Sequence, residues 1–283
     1  MFFIGCPVWG CKEWVGTFFP ARTPPGAFLK LYSRRLTTVE GNTTFYATPS
    51  VETVARWRQE MADTFRFCPK VSRSISHADR LDETQAETLA FTERLRGLGE
   101  RLGPMFLQLP PSFAPAQLAQ LQRFLDFWPS DLRLAVEVRH PGFYTGQHAA
   151  PLNALLSQYH AGRVIMDTRP LRIGSAEEQA VHTARERKPD LPVQMAITTD
   201  FAFVRYIGHP KMEINEPLLD EWAQQLARWF KQGAALYVFC HCPFEVHSPA
   251  LCAELYRRVQ ALVPLPPLPW QPAPTITQAQ MLF

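Results

Sequence analysis

The sequence contains no uninterrupted apolar run of about 18 residues, so no membrane-spanning helix is expected. Its beginning, MFFIGCPVWG, lacks the basic segment and the long apolar stretch of a secretory signal peptide. Both absences predict a cytoplasmic protein, in which the six cysteines are reduced thiols and not a disulfide framework. The net charge of +3 is too small to indicate nucleic-acid binding by itself.

A glycine-rich phosphate loop is also missing after the first apolar segment, which argues against a dinucleotide-binding open sheet. Instead, segments with strand and helix character alternate along the 283 residues, with no sign of a second compositional domain. About eight such units are typical of a closed parallel barrel. The sequence therefore predicts a single (β/α)8 TIM-type barrel over residues 1–263, and a doubly wound open sheet is the alternative.

The periodicity of the apolar residues places the individual elements. The predicted strands are Phe2–Gly5, Leu36–Glu40, Phe65–Lys70, Met105–Leu109, Leu132–Val138, Arg163–Asp167, Ala202–Ile207 and Ala235–Cys240. The predicted helices are Gly26–Arg35, Ser50–Asp63, Asp82–Leu102, Ala116–Trp128, Pro151–His160, Glu216–Lys231 and Pro249–Leu262. The polar stretch from Thr168 to about Thr199 stays unassigned, since a lid, an extra helix and a disordered loop all fit it.

The stretch LTTVEGNTTFY, from Leu36 to Tyr46, is the first indication of a functional site. Thr38, Glu40 and Asn42 have the same parity and therefore share one face of a strand. A buried glutamate is costly unless it is paired or hydrogen-bonded. A strand that ends in Glu-x-Asn thus suggests a polar pocket at its carboxyl end. The alternative is a strand end that frays into solvent.

Polar or ionisable side chains recur at the ends of nearly all the predicted strands. In a parallel barrel the carboxyl ends of the strands carry the reactive groups. The fifth strand, LAVEVRH, places Glu137 and Arg139 on one face, while Val136 and Val138 point the other way. Read by parity, the strand-end residues are Glu40, Asn42, Lys70, Gln108, Glu137, Arg139, Asp167, Arg205 and either Cys240 or His241. A salt bridge at the rim of a barrel would explain a single polar strand end. Polar residues at the ends of nearly all the strands favour a functional pocket.

Three carboxylates and three cations meet in this predicted pocket. Carboxylates suit general acid–base catalysis, and arginine and lysine side chains suit phosphate or carboxylate groups. For Glu137 and Arg139, the alternative is an ion pair that only shapes the pocket. The candidate catalytic residues are Glu40, Glu137, Asp167 and the loop histidine His77. The candidate substrate-binding residues are Trp9, Asn42, Tyr46, Lys70, Gln108, Arg139, Arg205 and His209.

The histidines and cysteines show no close metal-ligand spacing. His241 lies between Cys240 and Cys242, but alternate side chains of a strand diverge, so these three cannot hold one ion from one straight strand. A divalent metal between paired carboxylates is the remaining option and is not favoured. The sequence identifies no cofactor.

These residues lie in motifs that resemble the YecE-like family, domain of unknown function 72. The matching segments, in order, are GCPVWG with the following Trp14, TVEGNTTFY, FRFCPKVSRSISH, FLQLPPSF, AVEVRH and FVRYIGH. The resemblance implies a TIM-type barrel with its pocket at the carboxyl ends of the strands, similar in outline to the xylose-isomerase-like group. It implies no activity. The eighth strand departs from the family pattern, because Cys240, His241 and Cys242 stand where an Asn-Asn pair is expected.

The last segment, residues 264–283, begins with PLPPLPWQPAP and is expected to be an extended proline-rich tail with little core. Its final six residues, QAQMLF, resemble the peptide by which bacterial polymerases and repair proteins bind the DNA sliding clamp. The residues that carry this resemblance are Gln278, Met281, Leu282 and Phe283. A flexible spacer would present these anchors to a preformed groove. The alternative is that Leu282 and Phe283 pack back on the barrel.

Three functions are compatible with these patterns. The first is an enzyme that acts on a phosphate-bearing substrate, with DNA processing or repair as the version that the tail favours. In that version the aromatic residues stack on bases and the cations contact phosphates. The aromatic residues are Trp9, Trp14, Phe45 and Tyr46, and the cations are Lys70, Arg139 and Arg205. The second is an isomerase or hydrolase of a small sugar or sugar phosphate. The third is a non-catalytic module that the tail recruits to the DNA machinery.

Overall fold

The computed structural model describes residues 1–173 and 179–270. The strands are β1 Phe2–Gly5, β2 Thr38–Gly41, β3 Arg66–Pro69, β4 Met105–Gln108, β5 Leu134–Glu137, β6 Gly162–Asp167, β7 Phe201–Ile207 and β8 Ala235–His241. The helices are α1 Phe28–Tyr32, α2 Thr43–Tyr46, α3 Val51–Glu60, α4 Arg73–Ser76, α5 Gln85–Arg96, α6 Leu118–Phe127, α7 Gly146–Gln158, α8 Arg169–Arg172, α9 Gln179–Arg187, α10 Met212–Lys231 and α11 Ser248–Gln260. This alternation confirms the predicted mixed α/β fold.

The strands form two parallel sheets. One has six strands in the order β1-β8-β7-β6-β5-β4, and the other pairs β2 with β3. Main-chain hydrogen bonds also join the edges of the two sheets. The amide of Glu40 donates to the Cys6 carbonyl at 3.1 Å, and the amide of Val71 donates to the Phe106 carbonyl at 2.9 Å. The segments at β1 and β2, and at β3 and β4, are therefore in direct contact.

One predicted helix is wrong in extent. The sequence suggests a single helix over Asp82–Leu102, but α5 is flanked by separate 3-10 turns at Leu81–Glu83 and Gly99–Arg101. Gly99 has a φ of +58°, in the left-handed region that glycine tolerates best. This backbone conformation interrupts a continuous helix.

Two other helices begin earlier than expected. The predicted starts were Pro151 and Glu216, whereas α7 begins at Gly146 and α10 at Met212. Proline is common in the first helical turn, but both helices contain a proline several residues inside.

The unassigned polar stretch contains two helices, α8 and α9, on either side of residues 174–178. Nη2 of Arg172 donates to the carbonyl oxygens of Arg185 at 3.1 Å and of Lys188 at 2.8 Å. These bonds hold the end of α9 against α8. As a result, Lys188 lies near the carboxyl ends of β7 and β8, beside Ile207 and His241.

The apolar residues form two main cores, because alternate strand residues face opposite sides. The larger core lies between the strands and the helices and includes Ile4, Val204 and Trp222. The smaller core contains strand residues only. Its members are Phe3, Cys68, Phe106, Ala135, Val164, Phe201, Phe203, Ala235, Tyr237 and Phe239. This second, strand-only face leads directly to the polar strand ends.

Residues 264–270 contain no helix or strand but pack against the rest of the chain. Leu265 and Leu268 are buried, and the ring centre of Trp270 lies 4.7 Å from that of Phe18. The expectation of an extended tail with little core is therefore wrong for these leucines, because their apolar side chains find a surface to cover. The six cysteines are buried free thiols, as predicted. Among the described residues, no helix is both long and apolar enough to cross a membrane.

Candidate functional site

Beyond the strand-only core, the same face of the strands becomes polar. Five polar side chains each come two residues after an apolar member of the strand-only core, at the end of a strand or just after it. They are Lys70, Gln108, Glu137, Arg205 and His241. Glu40 adds a sixth polar side chain from β2. We call Glu40, Lys70, Gln108, Glu137, Arg139, Arg205 and His241 the strand-end cluster. All except Arg139 are buried. The sequence therefore builds this site by continuing one two-residue periodicity from apolar into ionisable residues.

Arg205 is at the centre of the strand-end cluster. Its Nε and Nη2 donate to the two oxygens of Glu40 at 2.8 and 2.7 Å, and its Nη1 donates to Glu137. The exposed fractions of Glu40, Glu137 and Arg205 are 0%, 1% and 2%. Buried charges of this kind are stable only when they are paired and hydrogen-bonded. The three side chains thus join β2, β5 and β7.

Arg139 and Lys70 extend the network through one glutamine. Nε of Arg139 donates to Glu137 at 2.6 Å, and its Nη2 donates to Oε1 of Gln108 at 2.8 Å. The same oxygen accepts a hydrogen bond from Nζ of Lys70 at 3.0 Å. This Nζ also lies 4.1 Å from the ring centre of Phe45, a cation–π contact. The predicted shared face of Glu137 and Arg139 is confirmed, and the two do form an ion pair.

Asn42 and His241 complete the surroundings of Glu40. Nδ2 of Asn42 donates to Oε1 of Glu40 at 2.8 Å and to the Pro7 carbonyl at 2.9 Å. Nε2 of His241 lies 3.1 Å from Oε2 of Glu40. The sequence left Cys240 and His241 as alternatives, and the structure places His241 in the cluster while Cys240 joins the core beneath the helices.

The charges of the cluster do not cancel. Burial alone would raise the pKa of Glu40, but Arg205, followed by His241, lowers it well below its ordinary value. For Glu137, Arg205 and Arg139 likewise overcome burial and lower the pKa to about 2. Burial lowers the pKa of His241 to about 4, so this imidazole is neutral at pH 7. Two carboxylates therefore face the three cations Lys70, Arg139 and Arg205, which leaves one positive charge in excess.

A cavity of about 640 Å³, which we call the Lys188 cavity, lies beside the cluster. His241 contributes to its lining, together with Ile207, Lys188 and Glu245. Burial, followed by Arg205, lowers the pKa of Lys188 to about 8. Burial raises the pKa of Glu245 to about 7, although the hydroxyl of Ser248 donates to this carboxylate at 3.0 Å. The cavity thus contains an amine and a carboxyl group that both titrate near neutral pH.

Comparison with known proteins identifies the family. The model of a family described as "Protein of unknown function DUF72" matches residues 3–273. The chain belongs to this family. It is also 36% identical over 276 residues to the UPF0759 protein YecE of Escherichia coli K12, and the match covers 96% of this chain and 98% of that protein. The family resemblance seen in the sequence motifs is therefore confirmed.

Solved structures of two other DUF72 family proteins share the fold. The protein from Enterococcus faecalis V583 has a TM-score of 0.70 at 18% identity, with 94% of this chain and 96% of that chain covered. The protein from Thermotoga maritima MSB8 has a TM-score of 0.68 at 20% identity, with 92% and 98% covered. At these identities the likeness establishes the fold alone.

One candidate of this DUF72 protein, Asp167, does not join the strand-end cluster. Its carboxylate accepts hydrogen bonds from the indole of Trp222 at 2.7 Å and from the amide and guanidinium of Arg169. In the sheet register Arg205 is opposite Met166, and Asp167 is opposite Tyr206. Asp167 therefore faces the helices. The prediction that it shares a pocket with Glu40 and Glu137 is wrong, because Arg163 and Asp167 share one face of β6 and the sequence does not show that this face meets the helices.

The two loop histidines lie in different settings. His77 is half-buried, its ring centre is 5.3 Å from that of Phe45, and burial, followed by Arg73, lowers its pKa. Since Phe45 also contacts Lys70, His77 is at the edge of the cluster. His209 is buried, and its Nδ1 accepts a hydrogen bond from the amide of Lys211 at 3.0 Å. This bond fixes the loop after β7.

The two aromatic candidates do not line the cluster. The ring of Trp9 packs at 5.6 Å from Trp57 and at 5.5 Å from Phe67, in the core beneath the helices. Trp9 thus packs against this core, and its role in substrate binding stays a prediction. Tyr46 is 82% exposed and contacts Phe45.

Two further predictions concern the tail and a metal. Gln278, Met281, Leu282 and Phe283 lie outside the described residues. Within residues 1–173 and 179–270, no group of three or more His, Cys, Asp and Glu side chains is placed to hold a metal ion.

Sequence reasoning missed Lys188 and Glu245. Lys188 is in the stretch that had no assignment, and Glu245 is in the loop after β8. Neither residue lies in a strand, so the alternation of strand side chains could not predict which way it faces. The only available signal was position, since loops at the carboxyl ends of parallel strands commonly supply functional groups.

Proposed function

We propose that this DUF72 protein is an enzyme that acts on a small phosphate-bearing substrate in the Lys188 cavity, next to the strand-end cluster. The observation that carries this proposal is the excess of positive charge. Arg205 is occupied by Glu40 and Glu137, and Arg139 is paired with Glu137. The one excess positive charge of the cluster and the charge of Lys188 then remain to balance an anionic group, and phosphate suits such cations.

The architecture in this proposal is a closed (β/α)8 barrel. Its support is that main-chain hydrogen bonds connect β1 to β2 and β3 to β4 at the edges of the two sheets. The ion pairs of Arg205 with Glu40 and Glu137 also connect β7 with β2 and β5. In a barrel the carboxyl ends of the strands form the active-site face, and the strand-end cluster would lie there.

The roles of the carboxyl groups follow from their partners. Glu40 and Glu137 are held ionised by Arg205, so we assign them to the positioning of the arginines. Glu245 has a pKa near 7 and lines the cavity, which suits a general acid or base.

Burial favours a small substrate over DNA. Lys70 is 8% exposed, Arg139 is only partly exposed, and the groups behind them are buried. A phosphodiester backbone within a duplex cannot enter such a site without large distortion, whereas a terminal phosphate can. The runner-up function, DNA processing, depends on the C-terminal peptide.

Thermal unfolding with matched ligands tests this function. Ribose 5-phosphate and glucose 6-phosphate should raise the melting temperature, and ribose and glucose should not, because only the phosphate meets the cations. The Arg139→Gln variant should lose most of this shift, while Arg257→Gln, a change at an exposed arginine, should keep it. Equal shifts with phosphorylated and unphosphorylated sugars would contradict the proposal.

The tail is the basis of a separate proposal, that QAQMLF binds a bacterial sliding clamp. Its test is clamp binding by the full chain and by a chain without Met281 to Phe283. Micromolar binding that disappears on truncation supports this recruitment, and absence of binding in both forms contradicts it.

A further inference from the structure

Lys70 has the setting of a reactive amine. It follows β3 and lies within the strand-end cluster, where its Nζ donates to Gln108 at 3.0 Å. The amine also contacts the face of Phe45 at 4.1 Å, and Phe106 lies 5.8 Å away. One amide oxygen and two aromatic rings thus surround it. The exposed fraction of Lys70 is 8%.

No carboxylate neutralises this amine among the described residues. Glu40 and Glu137 are the carboxylates near it, and both pair with arginines. Burial, followed by the charge of Arg205, lowers the pKa of Lys70 to about 8. An appreciable fraction of the side chain is therefore a neutral amine at physiological pH. Desolvation next to other cations is a recognised way to make lysine nucleophilic.

We propose that Lys70 forms a covalent imine with the carbonyl carbon of the substrate, so that the substrate is a phosphorylated aldehyde or ketone. This inference rests on the proposed function, because Arg139 and Lys188 then hold the phosphate while Lys70 reaches the carbonyl. It changes the role of Lys70 from a phosphate ligand to the nucleophile of the reaction.

The step balances without an added oxidant or reductant. The lone pair of the neutral Nζ attacks the carbonyl carbon, a C–N bond forms, and the C=O π electrons move to oxygen. A proton passes from nitrogen to this oxygen, which gives a carbinolamine. A proton from the solvent passes to the hydroxyl, which leaves as water while the nitrogen lone pair forms the C=N bond, and the protonated imine remains. Hydrolysis of the product imine consumes one water and regenerates the amine.

The groups around Lys70 favour the neutral amine before the reaction. Burial opposes its positive charge most and lowers its pKa, followed by Arg205, and Arg139 acts in the same direction, while Glu137 and Glu40 favour the charged form. His77, across the Phe45 ring, adds no permanent charge because its pKa is lowered. Bound phosphate would neutralise part of the arginine field.

Reductive trapping with pyridoxal 5′-phosphate, which has both an aldehyde and a phosphate, tests the proposal. Sodium borohydride delivers hydride to the imine carbon and makes the adduct permanent. Peptide mapping of the full-length protein should locate the adduct on Lys70. It should form there at least about tenfold faster than on the exposed Lys30, because burial lowers the pKa of Lys70 to about 8. Peptide mapping of the unaltered chain needs no variant to fold.

Two variants and a competitor sharpen the result. Lys70→Gln should abolish the fast adduct, and Lys30→Gln should not change it. Inorganic phosphate should slow the labelling of Lys70, and pyridoxal without phosphate should label it more slowly. Labelling that is spread over exposed lysines and unchanged in Lys70→Gln would overturn the inference.

The same measurements separate this inference from the proposed function. If inorganic phosphate binds but Lys70 is not labelled faster than Lys30, the imine is wrong and the phosphate site stands. If Lys70 is labelled quickly by both aldehydes and phosphate gives no protection, the imine stands and the phosphate site is wrong. If phosphate neither binds nor protects and labelling is unselective, both are wrong.

Discussion

Arg205 and Glu40 form a two-bond ion pair, with N–O distances of 2.8 and 2.7 Å, although 165 residues separate them in the chain. Glu40 is fully buried and Arg205 nearly so. The pair joins β2 to β7, which belong to different sheets. It therefore contributes both to the assembly of the fold and to the position of the remaining cations.

Loss of Arg205 should destabilise the protein strongly. Arg205→Ala leaves Glu40 and Glu137 buried without their main partner, and breaking a buried pair costs about 3–5 kcal/mol. Urea unfolding at pH 7 measures this change. The control, Arg257→Ala, removes an exposed pair with Glu254 and should cost less than about 1 kcal/mol. Equal losses in the two variants would contradict the structural role of Arg205.

Lys70→Met should stabilise the protein at pH 7. Burial lowers the pKa of Lys70 from its ordinary value of 10.5 to about 8, so keeping this side chain charged at pH 7 costs free energy in the folded protein. Between these two values the unfolded chain binds more protons, and stability therefore rises with pH. Removing the charge should add about 1–3 kcal/mol at pH 7, after allowance for the lost contact with Gln108.

The pH dependence provides the check on this prediction. Urea unfolding of the wild type should show a rise in stability from pH 8 toward pH 10.5, and Lys70→Met should show a smaller one. The pKa of Lys188 is lowered in the same sense, so only the difference between the two proteins reports on Lys70. A variant less stable than the wild type at pH 7 would disprove the account of Lys70.

Asp167 should matter for stability and not for binding. Asp167→Ala leaves the buried indole N–H of Trp222 without its acceptor, which costs about 1–3 kcal/mol. The folded variant should bind inorganic phosphate as the wild type does, because Asp167 faces the helices. Urea unfolding and calorimetry measure the two quantities. Weaker phosphate binding by a folded variant would contradict this prediction and indicate that Asp167 belongs to the phosphate site.

Strand parity predicted much of this site from the sequence. The alternation in LAVEVRH correctly placed Glu137 with Arg139, and TVEGN placed Glu40 near Asn42, because a two-residue period fixes a face. Parity failed for Asp167, because Arg163 and Asp167 share one face of β6 and the sequence does not show that this face meets the helices. The partners of Arg205 also could not be predicted, since they depend on contacts between distant strands and not on local pattern.

The most direct measurement of the central claim is calorimetric titration with inorganic phosphate at pH 7. The wild type should bind phosphate, Arg139→Gln should bind it about tenfold more weakly, and Arg257→Gln should match the wild type. Arg139 is chosen because it is the cluster arginine with partial exposure. No detectable binding by the wild type, or unchanged affinity in folded Arg139→Gln, would contradict the proposed phosphate site.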